Sequence, residues 1–174
     1  MLSILAVAVL TSLVTVLALA FTVQPRLEAR NRRIQEAHKE RDAFGGAVLG
    51  ILVKCSRVAA LDQMPDIPEP VASRLAADRD RWIGGLEGHT QHLVDSIAPI
   101  SYMPPFGDLL AAYGAHARAV WISERSEDRK LAVLRDLSAE VQSLVFVAWW
   151  RRPGRRRAEG RLRALLEKLE SGSL

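Results

Sequence analysis

The sequence predicts an all-α protein, on three observations. Apolar residues recur at spacings of three, four and seven through most of the chain, prolines cluster where those runs stop, and no stretch reads as a convincing strand. The expected architecture is a single N-terminal transmembrane helix continuing into a stalk, followed by an antiparallel bundle of about four helices. Its parts fall at residues 1–24 (transmembrane anchor), 25–62 (juxtamembrane stalk and first bundle helix), 63–150 (helical bundle) and 151–174 (basic amphipathic tail).

The anchor is the plainest element. No charged side chain occurs between Met1 and Gln24, and nearly every residue from Met1 to Val23 is apolar, Ala, Ser or Thr. About 20 such residues rising roughly 1.5 Å each cross the roughly 30 Å hydrocarbon layer, so Leu2 to Val23 is long enough to span. The C-terminal flank carries Arg26, Arg30, Arg32, Arg33, Lys39 and Arg41. That asymmetry predicts an N-terminus outside and a cytoplasmic C-terminal domain. A rival reading is a secreted protein, cleaved after Ala18-Leu19-Ala20 and starting at Phe21. No Lys or Arg precedes the apolar run, however, and the run exceeds the about 7 to 15 residues of a signal core.

The stalk, Arg26 to Asp42, is rich in Glu and Arg and favours helix. Ile34, Ala37, Phe44, Val48, Leu52, Cys55 and Val58 then supply helical spacing. Gly45, Gly46 and Gly50 weaken that helix by about 1 kcal/mol each and point to a kink or a close helix contact near Gly45. The apolar run Ala43 to Val53 is too short for a second span. Pro65, Pro68 and Pro70 end the helix.

Val71, Leu75, Trp82, Leu86, Leu93 and Ile97 form one stripe on a second helix, within about 80° of arc, closed by Pro99. A third helix carries Phe106, Leu109, Leu110, Tyr113, Ala117, Val120 and Trp121 on one side. Ser126 with Glu127 and Asp128 has the chemistry of a helix start. The fourth helix then presents Leu134, Leu137, Val141, Leu144 and Ala148 at bundle spacing. Leu162, Leu165, Leu166 and Leu169 mark a short amphipathic tail helix, separated from the fourth by Pro153-Gly154.

Charge is unevenly placed along the chain. Residues 26–41 sum to +3, residues 42–150 to −4 and residues 151–168 to +6, within a net +4. The strongest candidate contact surface is therefore Trp149, Trp150, Arg151, Arg152, Arg155, Arg156 and Arg157. Paired indoles beside arginines suit a headgroup layer, where each cation meets anionic lipid at roughly 1 kcal/mol. The rival reading is that Trp149 and Trp150 finish the bundle core and the arginines form a solvated cap. Nucleic-acid binding through Arg151 to Arg163 would be nonspecific and salt-dependent, since no helix-turn-helix, zinc-finger or RNA-binding motif accompanies it.

Catalytic patterns are absent: there is no HExxH, GxSxG or P-loop. His89, His92 and His116 are weak metal candidates, and on a regular helix His89, His92 and Asp95 diverge rather than converge. The single cysteine, Cys55, rules out a disulfide-stapled module and is expected to be a buried small hydrophobe. The sequence thus points to a non-enzymatic, membrane-anchored interaction or regulatory module with no cofactor. Its expected partners are the bilayer, anionic headgroups through the tail, and a protein not identified by any motif. Self-association is left open, although Leu2 to Val23 lacks GxxxG.

Overall fold

Prolines and caps set most of the helix boundaries. In a computed structural model that describes residues 11–14, 21, 23–64, 68–101, 105–145 and 152–172, every regular element is helical. Helix α1 (Gln24–Asp62) stops just before the proline-rich segment. Helix α2 (Glu69–Asp95) starts with Pro68 at its N-cap and Pro70 in the first turn, where a missing N–H leaves no intrahelical bond unmade. Its C-cap is Ser96, whose N–H donates to His92 O at 3.0 Å. The second helix therefore ends before Pro99. That proline sits inside the short helix α3 (Ile97–Ser101), near enough to its start to be tolerated.

Helix α4 (Gly107–Ile122) ends at Ser123, whose hydroxyl donates to Val120 O at 2.7 Å. Helix α5 (Glu127–Val145) opens with Glu127 and Asp128, two acidic groups at the positive end of its dipole. Helix α6 (Arg152–Glu170) carries Pro153 at its second position.

The chain divides into two compact units, residues 1–39 and 40–174. In the first, the expected anchor lies outside the described residues except at 11–14, 21 and 23, of which 11–14 are helical and all are exposed. Residues 24–39 are helical and exposed throughout, including Leu27 at 50% and Ile34 at 44%. The apolar spacing read from Ile34 onward thus marks a buried face only from Phe44.

In the second unit that face is well buried: Phe44, Ala47, Val48, Ile51, Cys55 and Val58 are all between 0% and 3% exposed. Among the described residues α1 alone is long and apolar enough to cross a membrane. Its most apolar stretch is nevertheless the one that packs into this core. Leu86 and Leu93 of α2, Tyr113 and Ala117 of α4, and Leu134, Leu137, Val141 and Leu144 of α5 complete the centre of a helical bundle. Val71 stays 47% exposed in the first turn of α2.

The basic tail also belongs to this core. Ala158 and Leu162 of α6 are fully buried and Leu166 is 5% exposed, with α6 packed mainly against α5 and also against α4. Its apolar face is therefore covered by protein. At the heart of the bundle the Tyr113 hydroxyl shares a 2.9 Å hydrogen bond with Ser138 Oγ, both residues fully buried. Phe44 meets the Tyr113 ring edge-on at 6.1 Å.

Candidate functional site

Among the grooves at the helix seams, two differ from each other in their charge. The first lies between α1 and α2 and exists because glycines let the two helices exchange long side chains. A Cβ at Gly50 would overlap the His89 imidazole, and one at Gly85 would overlap Lys54 Cε. Gly50 and Lys54 are one turn apart on α1, as are Gly85 and His89 on α2, so each helix offers a notch and a knob in reversed order. Gly45 is itself buried, and α1 runs through Gly45, Gly46 and Gly50 without a break.

Lys54 Nζ sits 2.6 Å from His89 Nε2. Desolvation, with Lys54 and His92 adding repulsion, holds the imidazole below its ordinary 6.5. It is therefore neutral at pH 7 and accepts a hydrogen bond from the ammonium. One turn on, the Arg57 guanidinium stands over the Trp82 ring, 5.5 Å from its centroid. Lys54, Arg57 and Arg81 border a groove of about 590 Å³ with no acidic residue in its lining. Leu49, Val53 and Trp82 make its surface largely apolar, with Leu49 37% and Val53 45% exposed. Arg81 is shared with Asp78 at 2.9 Å. Lys54 and Arg57 instead face neutral rings.

The second groove, about 360 Å³ between α5 and α6, is charge-balanced. Asp136 and Glu140 oppose Arg161 and Lys168 in its lining, and Arg161 Nε donates to Glu140 Oε1 at 2.6 Å.

Of the residues singled out as a membrane or anion surface, Trp149, Trp150 and Arg151 lie outside the described residues, as does the side chain of Arg152. Arg155 is half-buried, its guanidinium 4.5 Å from the Phe106 ring centroid. Arg156 and Arg157 are exposed. Among the described members of that group, Arg155 turns toward Phe106 while Arg156 and Arg157 face solvent.

Two of the three histidines weighed as metal ligands have partners of their own. His89 is on Lys54, and His116 is 3.2 Å from Glu170. Among the described residues no group of three His, Cys, Asp or Glu could hold a metal. Cys55 is 1% exposed and its thiol is pushed up to about 12 by burial, so it packs as a small apolar group.

The α1–α2 groove was not legible from the sequence as a site, because Trp82 reads as part of the apolar stripe of its helix. The one signal for it is the matched spacing of Gly50 with Lys54 and Gly85 with His89. No family model, no curated protein and no solved structure matches this chain.

Proposed function

We propose that this chain is a non-enzymatic, single-pass membrane-anchored binding module. Residues 2–23 cross the bilayer with the N-terminus outside, and a cytoplasmic antiparallel bundle presents the α1–α2 groove to a partner. The observation that carries the reading is the uncharged stretch from Met1 to Gln24, followed by Arg26, Arg30, Arg32 and Arg33. It is supported by the fate of the other long apolar stretch, in α1, whose Val48, Ile51 and Val58 are fully buried in the bundle and unavailable to lipid. No assembled acid, base and nucleophile accompanies the groove, which favours binding over catalysis.

The test is alkaline carbonate extraction of membranes carrying the full chain, with intact mass and protease accessibility of a C-terminal tag in sealed cells. The chain is expected to resist extraction at full-length mass with its tag protected. Replacing Leu13 and Val14 by Arg places two charges in the span at about 2.5 to 3.5 kcal/mol each and is expected to release it. Continued resistance of that double variant overturns the span. A mature chain beginning near Phe21 instead means secretion.

A further inference from the structure

The α1–α2 groove is chemically incomplete in a way that the α5–α6 groove is not. Where α5 and α6 meet, two carboxylates answer two cations. Where α1 and α2 meet, Lys54 is held by an imidazole and Arg57 by an indole, so each charge is oriented while neither is neutralised. Neighbouring like charges beside an apolar wall repel through a medium that screens them less than bulk water, and an anion between them relieves that repulsion. An inorganic anion would answer the cations alone and leave Leu49 and Val53 in water. A nucleic acid would need a long track of cations, whereas this groove offers three at a cleft.

We infer that the α1–α2 groove binds a single-chain anionic amphiphile, its carboxylate between Lys54 and Arg57 and its hydrocarbon chain along Leu49, Val53 and the part of Trp82 that lines the groove. The notches at Gly50 and Gly85 are filled by His89 and Lys54, which seats the Lys54 ammonium at the groove's edge and leaves Leu49 and Val53 as its apolar wall. The groove's volume of about 590 Å³ is within the range of small-molecule sites. His89 is a positioning residue: its ring receives the Lys54 ammonium and aims it along the groove. The assignment rests on the proposed binding role for the groove but not on the anchor, since every residue it uses belongs to the bundle.

The experiment uses the full-length chain in maltoside micelles with a photoreactive fatty acid bearing a diazirine in its chain, beside the matching fatty alcohol. The acid is expected to label the segments around Leu49 to Arg57 and Arg81 to Gly85, with unlabelled oleate competing. Lys54→Met and Arg57→Gln are each expected to lower that labelling about tenfold, the loss of one charge-assisted hydrogen bond. Val53→Asp, at an exposed position that does not threaten folding, sets a fixed carboxylate among the cations and is expected to do the same. Circular dichroism checks that each variant keeps its helix content.

Equal labelling by acid and alcohol, label spread evenly over the chain, or indifference to all three variants overturns the assignment. So does displacement by inorganic phosphate or an acidic peptide as effective as that by oleate. Carbonate extraction separates the two proposals. Groove labelling in a chain that extracts keeps the ligand and removes the anchor, and an anchored chain with an unlabelled groove does the reverse.

Discussion

The α5–α6 seam and the α1–α2 seam join helices in the same bundle, yet they are built on opposite terms. Along α5–α6, Leu162 and Leu166 are buried and Arg161 donates to Glu140, so the groove's cations face carboxylates of the same chain. Along α1–α2, glycines take in the long side chains of the facing helix, an ammonium leans on an imidazole, and Leu49 and Val53 stay partly in water. A seam that closes on itself contributes to stability, whereas one left open toward solvent with unneutralised charge is a place for something else to bind. The cation-rich stretch of sequence and the cation-rich site are therefore different parts of the molecule.

The contrast is most easily broken at the closed seam. Leu162→Ala is expected to cost about 2 to 5 kcal/mol, as for other fully buried leucines, read by urea unfolding of the full chain. A loss under about 0.5 kcal/mol, the level of an ordinary surface change, would mean that α6 is not an integral bundle helix.

A matched glycine pair sharpens the open seam. Gly50→Ala drives a methyl into the His89 ring and is expected to cost about 1 to 3 kcal/mol, with loss of the Lys54 hydrogen bond. Gly46→Ala, one turn earlier with nothing within 4 Å of its Cβ, is expected to gain about 0.5 to 1 kcal/mol. Thermal melts of the two read the difference, and equal shifts would remove the close approach from the argument.

Acid gives the smallest effect. Folding holds the His89 imidazole below 6.5, chiefly by desolvation, with Lys54 and His92 repelling its proton. The unfolded chain therefore takes up that proton first. Stability is expected to fall as pH drops below 6.5 and to level off once the folded-state ring is itself protonated. His89→Gln is expected to flatten that part of the stability profile. An unchanged profile would show that the ring's environment has no energetic weight.

Much of the bundle was legible from spacing alone. Phe44, Val48, Cys55 and Val58, and later Leu134, Leu137, Val141 and Leu144, fall where a 3.6-residue period puts them, and all are buried. The tail shows where such reading stops. An apolar stripe at Leu162, Leu166 and Leu169 states that a face must be covered, but not whether lipid or protein covers it, and here α5 and α4 do. Pro99 misled for a related reason, because the same residue that ends one helix can sit near the start of the next. The groove escaped because it depends on which turn of α1 faces which turn of α2. That alignment is a property of two distant segments, with no local period to announce it.

The hydroxyl pair of Tyr113 and Ser138 has its main consequence in arrangements the chain does not adopt. In the native packing the two groups satisfy one another, and the net gain over water is small. If α5 slid one turn, about 5.4 Å, along α4, leucine could still meet leucine, since apolar contacts accept many partners. Both hydroxyls would then be buried alone, at about 1 to 3 kcal/mol each. The pair thus acts as a gauge of alignment, penalising shifted bundles that greasy contacts by themselves would tolerate.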